Sequence, residues 1–370
     1  MSADGHGLPD NAIRGAHDMI HHAEQEEHEH EAAAKRGLTD QAVEAEHDFM
    51  QHAEDDLDAH KLGKREVVKS ISMATIVTTT TPTPVLTLNG EEKHRKRDVS
   101  TFINYYRDPG DGSPPMPVRI SDKTVTNERP TIAEPMVIRD ITGEEDKYTL
   151  DRNGFHLRRQ ATQLRGDDFH DSELVKAKYY PEAEQLLKDI TGAHRIHIFD
   201  HKVRVGPSNW HKLGEGNRVT RGPLFRAHVD QSYTGAELVL RRHFPDEADS
   251  LLKRRYQIIN IWRPIKTIYK DPFAVADARS VPDSDLLAAS ILYPRGSRDE
   301  TWTMLPNNMH QWYFKNAQRP DEALLIKCFD SATSPGLARR APHSAFEDPD
   351  MADSGHRESI EARALVFYNE

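Results

Sequence analysis

One cysteine, Cys328, stands in 370 residues, and that scarcity excludes an internal disulfide. It falls in the apolar run 323–329, where a buried structural thiol is the expected role and thiol catalysis is not. Such sparing use of cysteine fits a reducing compartment. No apolar run approaches the roughly 20 residues that a membrane helix needs. The first thirty residues are polar and acidic and carry no apolar leader core, so the expectation is a cytoplasmic protein with no membrane partner. The phosphate-cradling patterns GxxxxGK[ST] and GxGxxG are missing, and so is the nucleophile elbow GxSxG. Gly214-Glu215-Gly216 is a turn signal only. A dense stripe of positive charge is missing too. Lys and Arg number 49 against 60 Asp and Glu, for a net charge of −11. Residues 1–60 hold sixteen acidic and three basic side chains, a net of −13, so residues 61–370 carry about +2. A near-neutral body argues against nucleic acid as a partner.

What is present begins with a repeat. Asp10-Asn11-Ala12-Ile13, His17-Asp18-Met19-Ile20 and His22-Ala23-Glu24 recur thirty residues later as Asp40-Gln41-Ala42-Val43, His47-Asp48-Phe49-Met50 and His52-Ala53-Glu54. Apolar residues at helical intervals, with Asp10 and Asp40 as caps and Gly37 as a break, predict two short amphipathic helices. Their apolar stripes are thin, so they add little stability. Nine of the 21 His fall in residues 1–60. His17 and His21 share a helical face at a metal-binding spacing, but a solvated acidic helix rich in His is the simpler reading. Residues 1–65 are therefore read as an acidic, His-rich helical extension, and residues 66–370 as one domain.

Beyond a β-branched transition at 76–81, short strands dominate. A helix is expected over 179–190, closed by Gly192, and another over 245–255. Alternation predicts strands at 195–200, 256–262, 290–294, 301–305, 323–329 and 360–368. Pro and Gly punctuate them, and no βαβ rhythm is visible. The predicted fold is mainly β with flanking α: an antiparallel double-sheet jelly roll, that is, a cupin-like double-stranded β-helix, after the short helical extension.

Chemistry concentrates in the second half of the chain. Arg226-Ala227-His228-Val229-Asp230 follows the Gly222-Pro223 turn and reads as extended, so His228 and Asp230 project from one face. An imidazole and a carboxylate at that spacing are two-thirds of the facial triad that holds non-heme Fe(II). His343 is the best third ligand, 115 residues on; His310, in a stretch read as helical, and His356 are the alternatives. Fourteen residues after His343, Arg357-Glu358-Ser359 opens the apolar strand, where an Arg can take a carboxylate in bidentate fashion. Arg363 has the same strand parity and is the second candidate. Asn260 and Trp262 share a parity that could face a pocket, with Arg263 next to them. Arg226 and Gln231 flank the His-x-Asp pair and are placed to orient it. Met309-His310-Gln311-Trp312-Tyr313-Phe314 groups aromatics at a candidate rim.

The ordered set of His-x-Asp, distal His and Arg-x-Ser resembles the Fe(II)/2-oxoglutarate-dependent dioxygenases. The phrases Gly222–Ser232, Gln257–Pro264, Leu324–Ser331 and Arg357–Arg363 narrow the resemblance to the fungal hydroxylase/desaturase family, related to gibberellin desaturases and cephem methoxylase components. It spans about Thr87 to Tyr368. It implies Fe(II) on His228, Asp230 and His343, with 2-oxoglutarate and O2 as co-substrates. It further implies that the distal carboxylate of 2-oxoglutarate pairs with Arg357, or else Arg363, beside the Ser359 hydroxyl. Oxidative decarboxylation would then drive hydroxylation or desaturation of a small organic molecule, as in fungal secondary metabolism.

Two rivals stand beside that expectation. Some proteins grouped with this family look like accessory binding partners of a biosynthetic enzyme, but such a partner has no need of an intact ligand set. The other rival makes the His-rich extension the functional part. The sequence leaves substrate and oligomeric state open, a homo-oligomer included. Deleting residues 1–60 is expected to leave 2-oxoglutarate turnover intact, measured as succinate release; loss of turnover would make the extension part of the machinery.

Overall fold

The computed structural model describes residues 96–120, 125–126, 129–208 and 221–369, all within the unit Gly90–Glu370. The expected repeat, its helices and the boundary at 65/66 lie outside the described residues.

Fifteen strands are present among the described residues. The first seven are β1 (Val99–Tyr106), β2 (Val118–Ile120), β3 (Val125–Thr126), β4 (Thr131–Asp140), β5 (Phe155–Arg159), β6 (Arg195–Val205) and β7 (His228–Val229). Then come β8 (Tyr256–Pro264), β9 (Phe273–Ala276), β10 (Leu286–Leu292) and β11 (Arg298–Met304). The last are β12 (Trp312–Phe314), β13 (Glu322–Asp330), β14 (His343–Ala345) and β15 (Glu358–Phe367). One sheet has the order β5-β13-β8-β15-β6, the other β1-β4-β12-β9-β14-β7-β11-β10-β2-β3.

From β6 onward the chain alternates between sheets. β6, β8, β13 and β15 enter the first; β7, β9, β12 and β14 enter the second, with the β10–β11 hairpin inserted between β9 and β12. Within these eight strands every pairing is antiparallel. This is the expected double-stranded β-helix. Parallel pairs occur only at its flanks, between β4 and β12 and between β2 and β10.

Both faces of the five-stranded sheet are covered, which is why its central strands are buried from end to end. Period-2 alternation sends Ile259 and Ile261 of β8, and Ile360, Ala362, Ala364 and Val366 of β15, to one side. There they meet Ala183, Leu186 and Leu187 of the helix Tyr180–Thr191. At about 1.5–3 kcal/mol for each buried Leu, this docking rather than propensity holds a helix of only 12 residues. The opposite parity, Trp262 of β8 with Leu324 and Ile326 of β13, packs between the sheets against Phe273, Val275 and Tyr313.

Two expectations are corrected. The helix over 245–255 shrinks to the single turn Ala248–Leu251, because β8 begins at Tyr256 and Arg255 is drawn to Asp330 at 2.7 Å. The stretch around His310 is not helical: it leads into β12, whose pairing with β4 and β9 overrides local preference. The helix Tyr233–His243, absent from the expectations, starts where the Ser232 side chain accepts from the Gly235 amide at 2.8 Å.

That helix seats itself on β11 through Gly235. A Cβ there would stand 2.0 Å from the Glu300 carbonyl oxygen. Gly235→Ala must therefore push the helix off β11, next to Asp230. The expected loss is about 1–3 kcal/mol, read as a lower urea midpoint in circular dichroism.

Candidate metal centre and its pocket

Strand pairing assembles the centre. His343 of β14 lies directly opposite His228 of β7 in the antiparallel ladder, so both imidazoles leave the same face. Their ring centroids are 4.4 Å apart. Asp230, two residues beyond His228, returns to that face. Its Oδ1 is 3.4 Å from His228 Nε2 and 3.9 Å from His343 Nε2. One donor atom from each of the three residues lies within 4.8 Å of the others. Neither alternative joins them. His310 is buried against Tyr105 Oη and Asp285 Oδ2, at 3.2 and 3.0 Å, and His356 is exposed.

The ring tautomers follow from backbone partners. His228 Nδ1 donates to the Arg226 carbonyl at 2.7 Å, and His343 Nδ1 donates to the Ala341 carbonyl at 3.3 Å. A carbonyl can only accept, so each neutral ring carries its proton on Nδ1 and presents the Nε2 lone pair to the cluster. Burial, with the neighbouring His228, pushes the His343 imidazolium down to about 3, so this ring is neutral near pH 7.

The carboxylate is held from behind. Asp230 Oδ2 accepts from Asn260 Nδ2 at 2.8 Å and from Arg363 Nη2 at 3.1 Å, which leaves Oδ1 toward the imidazoles. Burial opposes the charge of Asp230, yet Arg363 and the two rings hold its carboxyl well below the usual range. Arg363 also bonds Glu361 Oε1 at 2.8 Å. Burial works against its charge as well, but Asp230, Glu361 and Asp200 keep the guanidinium above its ordinary value.

Arg357 has the opposite surroundings. It is buried, donates from Nη1 to the Asp271 carbonyl at 2.9 Å, and lies over the rings of Trp262 and Phe273. Among the described residues its Nε has no hydrogen-bond partner, and neither has the buried Ser359 Oγ. Burial and the nearby Arg204 pull Arg357 down to about 9, so near neutral pH it is a cation in want of an anion. Phe273 stacks on His343 with centroids 5.5 Å apart, placing this pair of donors on the His343 side of the cluster. On the other side opens a cavity of about 570 Å³, with His228, Asp230 and Arg363 at its wall and Leu224, Val239 and Ile291 among its apolar lining.

Other expected residues take structural places. Asn260 and Trp262 do share the interior face, whereas Arg263 turns away and ties the Gln160 and Pro320 carbonyls. Gln231 lines the cavity. The aromatics at 309–314 are packing rather than rim: Trp312 Nε1 donates to Tyr105 Oη at 2.8 Å, and Tyr313 packs on Tyr148 and Phe155. Sequence reasoning missed Glu361 and Arg204. Glu361 has the parity of Ser359 and Arg363, a signal that was available; Arg204 faces Ser359 only through the β6–β15 pairing.

Residues 103–367 match a family model described as Oxidoreductase/YMDC permease-like domain. Hydroxylase/desaturase efuI of Hormonema carpetanum is 38% identical over 293 residues, covering 74% of this chain and 96% of that protein. Alpha-ketoglutarate-dependent dioxygenase tstK of Talaromyces stipitatus is 32% identical over 268 residues, covering 72% and 96%. Among solved structures, the iron and alpha-ketoglutarate-dependent endoperoxidase NvfI aligns with a TM-score of 0.63 at 22% identity, over 74% of this chain and 99% of that one.

Asp230→Ala removes the cluster's one carboxylate and is expected to abolish stoichiometric Fe(II) retention, measured by anaerobic titration against a chelator, with the circular dichroism spectrum unchanged. Asn260→Ala should weaken retention about 10–100-fold. Undiminished iron in the Asp230 variant would mean that the metal sits elsewhere.

Proposed function

Because the chain belongs to the fungal hydroxylase/desaturase family of Fe(II)- and 2-oxoglutarate-dependent dioxygenases, we propose that His228, Asp230 and His343 are its iron ligands. In the same reading Arg357 and Ser359 receive the distal carboxylate of 2-oxoglutarate. The observation that carries it is the convergence of two Nε2 lone pairs and one carboxylate oxygen on a single point at the cavity wall. The donor set fits the facial triad of a non-heme iron oxygenase. The unpartnered donors of Arg357 and Ser359 suit a carboxylate.

Iron with 2-oxoglutarate and O2 supplies the oxidising power to take hydrogen from a C–H bond of a small organic substrate. The residues around it do the rest. The Nδ1 bonds to Arg226 and Ala341 hold both rings in register and keep their Nε2 lone pairs available. Asn260 and Arg363 fix the Asp230 carboxylate in its charged form. Two neutral imidazoles and one carboxylate leave Fe(II) with one net positive charge, which favours an anionic co-substrate. Trp262 and Phe273, stacked at 4.7 Å, wall the Arg357 side and exclude water there.

The choice between the two arginines follows from charge. Arg363 is already balanced by Asp230 and Glu361, whereas Arg357 meets only a backbone carbonyl among its hydrogen bonds. Arg357 therefore anchors 2-oxoglutarate, and Arg363 positions Asp230. The same reading takes residues 66–370 as the oxygenase domain and residues 1–65 as an appendage outside its chemistry. No described helix is long and apolar enough to cross a membrane. A cytoplasmic place suits the single buried thiol, and a role in fungal secondary metabolism suits the kinship.

Anaerobic addition of Fe(II) and 2-oxoglutarate is expected to give the weak visible charge-transfer band of the chelate in wild type and none in His228→Ala. Arg357→Ala should raise the 2-oxoglutarate requirement by tenfold or more, on the scale of a lost charged hydrogen bond. An unchanged requirement in Arg357→Ala, with a raised one in Arg363→Ala, would reverse the assignment.

A further inference from the structure

The charges that line the 570 Å³ cavity do not all cancel. Arg242 meets Asp299 in a close ion pair. Lys202 meets Asp200 at 3.2 Å, and Arg363 meets Asp230 at 3.1 Å. Arg204 donates to the Gly222 carbonyl at 3.3 Å, and Glu361 and Asp230 offset part of the burial that disfavours its charge. Glu300 Oε1 accepts from Ser232 Oγ at 2.6 Å. Arg226 stands apart by an orphaned donor. Its Nη2 donates to the Arg129 carbonyl at 3.0 Å, while its buried Nη1 has no hydrogen-bond partner among the described residues. The neighbouring Arg129 brings a second guanidinium, whose Nε and Nη2 donate to the Met116 and Ser290 carbonyls at 2.7 and 3.0 Å. A buried cation beside a like charge is costly unless an anion joins it. Arg226 itself lines the same cavity as His228 and Asp230.

We propose that Arg226 anchors the substrate, its Nη1 donating to an anionic oxygen, a carboxylate or an acidic enol, carried on an otherwise apolar body. Leu224, Val239 and Ile291 supply the apolar contacts, and the anchored end fixes which C–H bonds face the metal. This proposal rests on the metal-centre reading above. Arg226 is a different anchor from Arg357: it lies on the cavity side of the cluster, whereas Arg357 lies behind Phe273. One arginine takes the co-substrate, the other the substrate.

The test uses the full chain, anaerobic, with Mn(II) replacing iron and 2-oxoglutarate saturating. Two probes of one shape and different charge are titrated, 2-naphthylacetate and 2-naphthylacetamide, and Mn(II)-induced broadening of their ring protons is followed by NMR. Wild type should bind the acid at least about tenfold tighter than the amide, the scale of one charged hydrogen bond, with broadening of the bound acid. Arg226→Gln should bring the two probes within about twofold, and Arg226→Lys should retain part of the preference. Equal binding of acid and amide by wild type overturns the proposal, whatever the variants do. So does a preference that survives in Arg226→Gln, acid binding without broadening, or displacement of 2-oxoglutarate by the acid. Failure of wild type to take up Mn(II) is read before either probe is added, and it would bring down the metal-centre reading itself.

Discussion

The pairing of His343 with His228 is the contact on which the rest of the molecule turns. β7 and β14 are short strands, 115 residues apart in sequence, and they meet at this one residue pair. Directly opposed residues in an antiparallel ladder share a face, so their pairing alone is enough to bring two imidazoles together. Asp230 then follows from period 2. The two sheets exist, in this sense, to deliver β14 to β7: β9 holds β14 on its other side, and β8, β13 and β15 form the floor over which the cluster sits.

A second constraint is the balance of charge in that interior. The face of β15 toward the cluster presents Ser359, Glu361 and Arg363 in alternation, and β8 adds Asn260. Arg363 bridges Asp230 and Glu361 within hydrogen-bond distance, and with the two imidazoles it keeps the Asp230 carboxylate ionised against the cost of burial. Arg357, six residues before Arg363 on the same strand parity, has no such company. The two arginines look alike in sequence and differ only in what lies across the sheet from them. In a low-dielectric interior that difference decides which cation is spoken for and which still calls for an anion.

Much of the design was legible beforehand. Local pattern located β6, β8, β13 and β15 to within a few residues: β6 starts by alternating, whereas β8, β13 and β15, buried on both faces, are rich in apolar and β-branched side chains. The helix Tyr180–Thr191 could be read from its Gly192 stop. What failed shows the limits of local signals. Residues 312–314 became a strand because they pair with β4 on one side and β9 on the other. The 245–255 helix was cut short by Arg255 reaching for Asp330. Ser232 capped a helix whose apolar face becomes visible only against Tyr256 and Phe329 of the neighbouring strands.

Residue types, their order and their parity were therefore fixed along the chain itself: His228 and Asp230 on one face, a distal His, and an arginine with a hydroxyl two residues later. Those features depend only on the 2-residue repeat of an extended backbone, which any reader of the sequence can apply. Tertiary structure alone decided that His343 rather than His310 or His356 completes the cluster, that Arg363 is neutralised and Arg357 is not, and that Arg226 Nη1 lacks a partner among the described residues. Each of these depends on which strand lies opposite and how far burial strips water from a charge, and neither quantity is a property of a residue or of its neighbours in sequence.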